Sequence, residues 1–513
     1  MAKNCWSYSF ASPVGNKLLR PNYFNKTTLS PGNGVYLFNW PRVSRPEVSR
    51  VWRPSARQTN SMQQYPIKVL QFGGGNFLRA FVDWMIDLLN EQTDFNAGVV
   101  VVKPTERGDY DALRRQDGNF HVVLDGISEG QLIKERRQIT CIQQVIQPYR
   151  ERDAYLATAE LPGLRFITSN TTEAGIKFSE EPMPSEGMPK EFPAKLCLWL
   201  HHRWQHFSGA PERGCIVLPL ELIEDNGDAL KACLVQYARH WALSDDFVAW
   251  LQTHNHFCST LVDRIVSGYP ANRAAELEIE LGVKDELLVA GEYYHSWVIK
   301  GPALVADELP FGKTDLNVTF TDDLDAYREI KVRILNGAHT SIVPTGYLAG
   351  LETVGEVMAD EHMSAYLHDV LYREIIPSLP YPEAELKAFA AAVLDRFRNP
   401  SIRHKLLDIS LNSTSKFRTR LLPSLLAYHE KFGELPHGIV GALGALIEFY
   451  SGERNGEPIP LRDAEDRLAF FRELWSSGKN GEEIVRAVLA REDWWGQDLT
   501  KVPDLVRATS LLV

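Results

Sequence analysis

The pattern of apolar positions between residues 67 and 102 predicts a strand, a glycine turn, a helix and a second strand. Residues 67–72 form a short apolar run of strand type, and Gly73-Gly74-Gly75 follow it directly. Apolar residues then recur at helical spacing, at Phe77, Phe81, Trp84, Met85 and Leu88. The valine run at 99–102 does not alternate, which is typical of a strand buried on both faces. Together these elements make one βαβ unit, the building block of a doubly wound parallel sheet.

The same pattern divides the rest of the chain into two parts. Further strand-like runs lie at 121–124, 164–168 and 215–220, so we expect one doubly wound domain over 62–260. Strand-like residues return at 286–320, but helical patterns otherwise dominate, at 324–350, 355–376, 383–397, 403–411, 420–431, 437–450 and 463–490. We therefore predict an α/β fold, with a Rossmann-like doubly wound parallel sheet followed by a mostly α-helical C-terminal domain over 261–513.

Charge changes the picture for the first 61 residues. The chain has 513 residues and a net charge of −11, but residues 1–61 carry nine Lys/Arg and one acid, Glu47. This segment lacks the apolar core of a secretory signal and the amphipathic stretch of a transit peptide. We expect a disordered extension, or a start codon placed too early with Met62 as the working start. The acidic remainder argues against a nucleic-acid partner.

Cysteine usage and hydropathy indicate the compartment. The six cysteines are scattered, without a CxxC pair, as is typical of proteins in a reducing environment. No apolar run approaches the ~18 residues of a membrane span. We therefore expect a cytoplasmic protein without a membrane partner.

The glycine turn is the first candidate site. Gly73 permits a tight turn, Gly75 lets the backbone approach a ligand closely, and the following helix offers free N–H groups and a positive dipole end. This combination predicts pyrophosphate binding. The pattern is Gly-x-Gly-x-x-Leu, with Leu78 where a third glycine is usual. An ordinary tight turn or a site for a methyl donor therefore stays open as an alternative.

The choice between NAD and NADP depends on the end of the second strand. The residues directly after it include no acid at the place expected to bind the adenosine ribose. Glu106 or Asp109 can take that role, whereas Lys103 and Arg107 favour a 2′-phosphate, so both cofactors stay open. Small polar residues follow another apolar strand at 168–175, as the ligand crevice of an open sheet requires.

The most unusual run of the second half lies at 329–340. On a helix, Lys331, Leu335 and His339 share one face, with Asn336 beside His339. A desolvated lysine can take or return a hydroxyl proton, and an amide with an imidazole can hold a developing alkoxide. The alternative is a surface lysine, an Asn-Gly turn and a core histidine. Asn-Gly inside a helix is locally unfavourable, however, and such conflicts gather at functional sites. The scattered histidines lack carboxylates at ligand spacing, so we predict no metal site.

With these runs together, the chain resembles the polyol-specific long-chain dehydrogenases, the mannitol dehydrogenase family, over about residues 66–500. The matching runs are 72–80, 170–173, 262–265 and the Lys-x4-Asn-x2-His spacing at 331–339. The resemblance implies metal-independent hydride transfer with NAD, with Lys331 as acid/base and Asn336 with His339 around the reacting oxygen. It also implies a set of cofactor-binding residues: Val69, Leu70, Gln71, Phe72, Gly73, Gly74, Gly75, Asn76, Phe77, Leu78, Arg79, Ala80, Thr171 and Glu173.

Within the family, the likeness is greatest to members that reduce the hexuronate tagaturonate to altronate. It rests on the runs 71–84, 219–227 and 408–413. Where the mannitol type has Asp-Asn-Leu before Asn-Gly, this chain has Leu-Glu-Leu, with Glu221 in the middle, and then Asn226. The second amide at the reacting oxygen is therefore either lost or supplied by Asn226.

The family's substrate lysine is matched by Lys416. Arg418 and Arg420 follow it, and this cationic run suits a substrate carboxylate, although a basic surface stretch is the alternative for the arginines. The arginine that contacts polyol hydroxyls in the mannitol type falls near Asp408 and is not carried over. We expect a small-molecule hexuronate substrate, no nucleic-acid or membrane partner, and a monomer or small homo-oligomer. Fructuronate or mannitol/fructose activity, and nucleotide binding without turnover, are the alternatives.

Overall fold

The structure, a computed structural model, describes residues 64–172 and 174–513. The predicted extension, residues 1–61, and Glu173 of the predicted cofactor run lie outside the described residues. Strands and helices mix up to residue 321, and helices predominate afterwards. The predicted fold class, a Rossmann-like sheet followed by a mostly helical part, is confirmed.

The described strands form four sheets. In chain order they are β1 (Ile67–Phe72), β2 (Gly98–Val102), β3 (Phe120–Ser128), β4 (Gln131–Ile139), β5 (Ile142–Ile146), β6 (Phe166–Ser169), β7 (Ile216–Pro219), β8 (His256–Phe257), β9 (Ser259–Asp263), β10 (Val266–Gly268), β11 (Val289–Glu292), β12 (Ser296–Lys300), β13 (Val318–Thr321), β14 (Glu453–Arg454) and β15 (Glu457–Pro458). The largest sheet has the order β5-β2-β1-β6-β7-β8, and all its strand pairs are parallel. The strand order reverses between β1 and β6, at the point where open α/β sheets bind ligands.

The apolar run at 121–124 lies outside this sheet. It belongs to β3, in a smaller sheet of order β10-β11-β3-β4. The main-sheet strand that follows β2 is instead β5, whose central residues are partly or fully exposed, as an edge strand allows. A third sheet has the order β13-β12-β9, and β14 pairs with β15. Strands β11, β12 and β13 confirm the strands expected within 286–320.

Helices surround the sheets and build the second part. Those before residue 322 are α1 (76–92), α2 (Asp111–Arg115), α3 (Arg152–Ala157), α4 (Phe192–His206), α5 (Asn226–His240), α6 (Asp245–Thr253), α7 (Ala274–Leu281) and α8 (Leu304–Glu308). Those after it are α9 (324–348), α10 (Val354–Ala359), α11 (361–378), α12 (Glu383–Phe397), α13 (Leu406–Ile409), α14 (Ser413–Arg420), α15 (Leu422–Phe432), α16 (His437–Phe449), α17 (Glu465–Ser476), α18 (Gly481–Leu489), α19 (Glu492–Trp495) and α20 (Leu505–Ser510). Helices α1, α9 and α11 each contain a π-helical turn, at Arg79–Asp83, Lys331–Asn336 and Val370–Ile375.

Alternate residues of the central strands pack into cores on opposite faces of the main sheet. Val99 and Val101 of β2 share a core with α1, whereas Val100 and Val102 pack with α4 and α5. The α1 core continues through β9, β12 and residues up to Leu316, and a separate core fills the helical part. The domain boundary at residue 260 stays a prediction. No helix of the described residues is long and apolar enough to cross a bilayer.

Candidate active site

Gly73, Gly74 and Gly75 form the turn between β1 and α1. Gly73 has φ +120°, which side chains rarely allow, and its N–H donates to the carbonyl of Val102 at 2.9 Å. A Cβ placed on Gly75 would meet nothing within 4 Å. The N-terminal end of α1 is therefore open beside the end of β1, which suits a pyrophosphate.

The other residues of the predicted cofactor run are mostly turned inward. Val69, Leu70, Gln71, Phe72, Leu78 and Ala80 are buried, whereas Asn76 is exposed and Phe77 is partly exposed. Arg79 is 7% exposed and supports the turn from behind. Its Nε donates to the carbonyl of Gly74 at 3.2 Å and its Nη2 to Oδ1 of Asn76 at 2.7 Å. The run therefore builds the turn, and Arg79 holds it in place.

The loop after β2 packs against the same turn. The Tyr110 hydroxyl accepts a hydrogen bond from the Gly74 N–H at 2.9 Å. Lys103 is turned into its own loop, where its ammonium donates to the carbonyl of Arg107 at 2.6 Å. Glu106 and Asp109 are exposed in this loop. These two carboxylates lie near the end of β2, where a ribose hydroxyl is expected.

The end of β6 is fixed by a buried carboxylate. Glu221, 2% exposed, accepts hydrogen bonds from the Ser169 hydroxyl at 3.0 Å and from the N–H and hydroxyl of Thr171, both at 2.9 Å. Burial raises the pKa of Glu221 despite the hydrogen bonds from Thr171. The carboxylate thereby holds Thr171, a predicted cofactor residue, close to the glycine turn, because β6 lies next to β1.

Asn226, at the start of α5, is 1% exposed. Its Nδ2 donates to the carbonyls of Pro219, Glu221 and Thr260 at 3.0–3.2 Å, and its Oδ1 accepts from the Thr260 N–H at 2.8 Å. Backbone groups thus occupy the whole amide. The geometry does not support the predicted role of Asn226 at the reacting oxygen, and the amide instead ties α5 to β7 and β9.

Lys331 and Asn336 are the first and last residues of the π-helical turn in α9. In an α-helix, residues five apart lie about 140° apart around the axis, so their side chains diverge. The i→i+5 hydrogen bonds of a π-turn widen the helix locally and reduce this angle, and such turns are frequent at functional sites. The π-turn therefore moves Asn336 closer to the face of Lys331 than α-helical spacing would.

The Lys331 ammonium is held at the end of β9. Its Nζ donates to the carbonyl of Val262 at 3.0 Å and lies 3.8 Å from Oδ1 of Asp263. The side chain is 19% exposed. Since an ammonium has three donors, this arrangement leaves capacity for a ligand oxygen.

Asp263 also belongs to a buried group that we call the paired cluster: Asp263, Glu292 and Arg396. Arg396 donates two hydrogen bonds to Asp263, at 2.8 and 3.1 Å, and two to Glu292, at 2.7 and 3.0 Å. Burial opposes the charge of Asp263, but Arg396 and Lys331 outweigh it and keep the pKa of Asp263 below its usual value. Burial equally opposes the charge of Arg396, yet the two carboxylates raise its pKa.

The sequence did not single out Glu292 or Arg396. Asp263 appeared only within the matching run 262–265, which was a usable signal. Glu292 lies at the end of β11 and Arg396 near the end of α12, so no local pattern connects them to Lys331. Only the folded chain brings the three together.

His339 lies two helical turns beyond Lys331. Its ring centroid is 4.2 Å from that of Phe397 and 5.1 Å from that of His404. Burial, with further contributions from the charges of His404 and Arg396, holds the pKa of His339 well below its usual value, so the imidazole is neutral. Its Nε2 is buried and has no hydrogen-bond partner among the described residues. Asp263 interacts electrostatically with both His339 and Lys331, so the structure groups these two predicted residues around one carboxylate.

The predicted substrate cations separate on α14. Lys416 and Arg420 are four residues apart and share a helix face. Arg420 reaches α9, where its Nη1 donates to Oγ1 of Thr340 at 3.3 Å. Arg418 is exposed, and its Nη2 lies 3.2 Å from the position of a Cβ on Gly496. The structure therefore brings Arg420 to α9, whereas Arg418 lies exposed beside Gly496.

Within 64–172 and 174–513, no three His, Cys, Asp or Glu side chains are placed to hold a metal ion. Metal-independent chemistry stays a prediction.

Comparisons with known proteins decide the family. The Mannitol dehydrogenase Rossmann domain matches residues 67–313, and the Mannitol dehydrogenase C-terminal domain matches residues 323–511. The altronate oxidoreductases of Yersinia enterocolitica serotype O:8 and Escherichia coli O7:K1 are each 49% identical to this chain over 448 residues, which is 86% of this chain and 93% of each relative. The chain belongs to the mannitol dehydrogenase family.

Solved structures show the same fold for this mannitol dehydrogenase family member. Mannitol 2-dehydrogenase from Pseudomonas fluorescens, solved as a ternary complex with NAD and D-mannitol, matches with a TM-score of 0.61 and 24% identity over 88% of this chain and 92% of that one. A D-sorbitol dehydrogenase in substrate-free form matches with a TM-score of 0.71 and 20% identity over 87% and 92%.

Proposed function

We propose that this member of the mannitol dehydrogenase family is an NAD-dependent oxidoreductase that reduces the keto group of tagaturonate to give altronate, reversibly. The observation that carries the proposal is the position of the Lys331 ammonium, 3.0 Å from the Val262 carbonyl and 3.8 Å from Asp263, on the same π-turn as Asn336. Relatives at 49% identity are altronate oxidoreductases, which favours this substrate within the family.

The glycine turn fits a dinucleotide. The open space at Gly75 and the N-terminal end of α1 suit a pyrophosphate, and the exposed Glu106 and Asp109 suit the free ribose hydroxyls of NAD. When bound there, NADH supplies the hydride for the keto carbon.

The chain's own residues manage the proton and the oxygen. Lys331 gives a proton to the keto oxygen during reduction and takes the hydroxyl proton in the reverse direction. Asn336 and His339 donate hydrogen bonds to the same oxygen as its negative charge develops. Since His339 is neutral, it acts through an N–H rather than through a positive charge. Asp263 and the Val262 carbonyl keep the Lys331 ammonium in place for this step.

The experiment that tests the proposal is NADH oxidation, followed by absorbance, against tagaturonate, fructuronate and fructose in parallel. We expect the highest kcat/KM with tagaturonate and NADH, and a lower one with NADPH. Lys331→Ala should reduce kcat by about 10²–10⁴-fold and leave NADH binding intact. The exposed Lys479→Ala is the matched control and should behave as the wild type.

Each alternative has its own outcome. Clear activity on fructuronate or fructose without activity on tagaturonate would refute the substrate and leave the family unchanged. NADH binding without turnover of any of the three would favour a nucleotide-binding protein. We further propose that the enzyme works in the cytoplasm, since its described cysteines are free and buried. We also propose that it is a monomer or small homo-oligomer.

A further inference from the structure

We propose that Arg420, together with Lys416, forms the subsite that binds the carboxylate of the substrate and so selects hexuronates over uncharged ketoses. This inference rests on the proposed function. Of the two arginines in the basic run, it selects Arg420, which reaches α9, over Arg418.

The first support is the contact of Arg420 with α9. Its guanidinium donates to the Thr340 hydroxyl at 3.3 Å, one residue after His339. Its backbone carbonyl lies 3.5 Å from the position of a Cβ on Gly337, which is ordinary van der Waals contact. Arg420 therefore packs against the segment that carries Asn336 and His339, within reach of a small molecule bound at Lys331.

The second support is that Lys416 and Arg420 lack an acidic partner. Among the described residues, no carboxylate forms an ion pair with either side chain. The Lys416 ammonium donates to the carbonyl of Ile409 at 2.7 Å. The nearby Arg462 has Asp408 at 3.5 Å, so it already has a counter-charge. We call Lys416 and Arg420 the unpaired cluster.

Burial of two positive charges without an acidic partner is unfavourable, and this points to an anionic ligand. Burial lowers the pKa of Arg420, and burial with the charges of Arg420 and Arg462 lowers that of Lys416. Two half-buried cations on one helix face repel each other, and an anion bound between them offsets that repulsion. Asp463 acts on Lys416 electrostatically, but it is 1% exposed and accepts a hydrogen bond from Thr414 at 3.1 Å.

The chemistry of a hexuronate matches this geometry. Its carboxylate lies at one end of a hydroxylated chain and its keto group near the other, so the two ends can meet different parts of one site. A guanidinium fork binds a carboxylate with two parallel hydrogen bonds, and a lysine adds a point charge. Lys331 would thus meet the keto oxygen while Arg420 and Lys416 meet the carboxylate.

The test compares Arg420→Met with wild type in the full chain, on tagaturonate and on an uncharged ketose such as fructose. Loss of a charged hydrogen bond should raise KM for tagaturonate by about 10- to 100-fold, with kcat changed much less. The kcat/KM for fructose should stay the same or rise. The KM of Arg420→Lys for tagaturonate should lie between those of the wild type and Arg420→Met. Arg472→Met, which removes an exposed arginine of α17, is the matched control.

Three results would overturn the inference. An unchanged KM for tagaturonate would show that Arg420 does not contact it. An equal loss on tagaturonate and fructose would indicate a general role in shaping the site. A loss of NADH affinity as large as the rise in KM, measured by fluorescence, would mean that the Arg420 guanidinium binds the cofactor and not the substrate. Inhibition by altronate gives a second reading, because its inhibition constant should rise by the same factor as KM.

Two controls keep this test separate from other failures. Thermal unfolding of Arg420→Met and Arg420→Lys shows whether each variant folds. Wild-type activity on tagaturonate is measured first, and its absence would refute the proposed function before any variant is compared. Wild-type activity with an unaffected Arg420→Met would refute the carboxylate subsite alone.

Discussion

Two groups of charged side chains flank helix α9, which carries the proposed catalytic residues, and they differ in how their charges are compensated. In the paired cluster, Arg396 makes four hydrogen bonds to Asp263 and Glu292. In the unpaired cluster, Lys416 and Arg420 donate to neutral oxygens only. The first cluster is complete within the chain, whereas the second still needs a negative charge.

The pKa values of Arg396 and Arg420 shift in opposite directions, as this difference in charge compensation predicts. The carboxylates raise the pKa of Arg396 against the effect of burial, whereas burial lowers the pKa of Arg420. A complete cluster is suited to holding a group in position, here the Lys331 ammonium beside Asp263. An incomplete and partly accessible cluster is suited to binding a ligand of opposite charge.

Breaking the paired cluster should have the largest effect on stability. Arg396→Met leaves two buried carboxylates without their partner, so we expect a loss of about 3–5 kcal/mol of unfolding free energy. Urea unfolding followed by tryptophan fluorescence measures it. Arg398→Met, which removes an exposed arginine two residues away, is the control. Equal unfolding midpoints for the two variants would contradict the pairing.

Asp83 offers a third case, because its charge is unpaired but sealed from solvent. It is 0% exposed, accepts one hydrogen bond from Gln71 at 3.2 Å, and its Oδ1 has no partner among the described residues. Burial raises the pKa of Asp83 to about 7, although Gln71 and Arg79 oppose the shift. No ligand can reach this carboxyl, so a proton is the compensation available to it.

The sign of the pH dependence follows from that shift. Between about pH 4 and pH 7 the folded state holds a proton that the unfolded state has lost, so stability falls as pH rises through this window. Asp83→Asn removes the effect and should stabilise the protein by about 4 kcal/mol at about pH 8, but little at about pH 4. Thermal unfolding at both pH values measures this, with the exposed Asp94→Asn as control. An equal gain in stability at both pH values would mean that ionisation of Asp83 does not cause the gain.

The fold was predictable where burial follows the local pattern. β1 and β2 were found because their apolar runs are continuous, and α1 because its apolar residues recur at helical spacing. The edge strand β5 was missed because only its first and last residues are buried and two adjacent glutamines interrupt its apolar run. The run at 121–124 was found as a strand, but no local signal assigns it to the smaller sheet.

The candidate site was predictable as a run of residues on one helix and not in its geometry. The spacing of Lys331, Asn336 and His339 singled out this helix, but it does not predict the π-turn that contains the first two. Likewise, nothing in the sequence of the basic run distinguishes Arg418 from Arg420. Only the orientation of α14 against α9 separates them. Arg396 lies on α12, which was predicted as a helix, but no local pattern marked Arg396 as a site residue.

Removing the carboxylate beside Lys331 should slow catalysis. Asp263→Asn takes away a negative charge 3.8 Å from the ammonium, and with it one of the two groups that hold the ammonium in place. We expect kcat for tagaturonate reduction to fall about tenfold, with NADH affinity unchanged. Asp325→Asn, at an exposed position of α9, should leave kcat unchanged. An unchanged kcat for Asp263→Asn would mean that Asp263 does not position the proposed acid/base lysine.

The smallest predicted effect is that of ionic strength on KM for tagaturonate, and it should arise from the unpaired cluster alone. The unpaired cluster is partly accessible, so dissolved ions screen its attraction for a substrate carboxylate, whereas the buried paired cluster is little affected. With saturating NADH, we expect KM for tagaturonate to rise about threefold between low salt and about 0.5 M ionic strength, and kcat to stay constant. KM for fructose should not change, because fructose carries no charge. In Arg420→Met the salt dependence for tagaturonate should become weaker, since one of the two screened cations is gone. A fall in kcat with salt would instead show that screening reaches Lys331, and the paired cluster would then be less enclosed than its hydrogen bonds indicate.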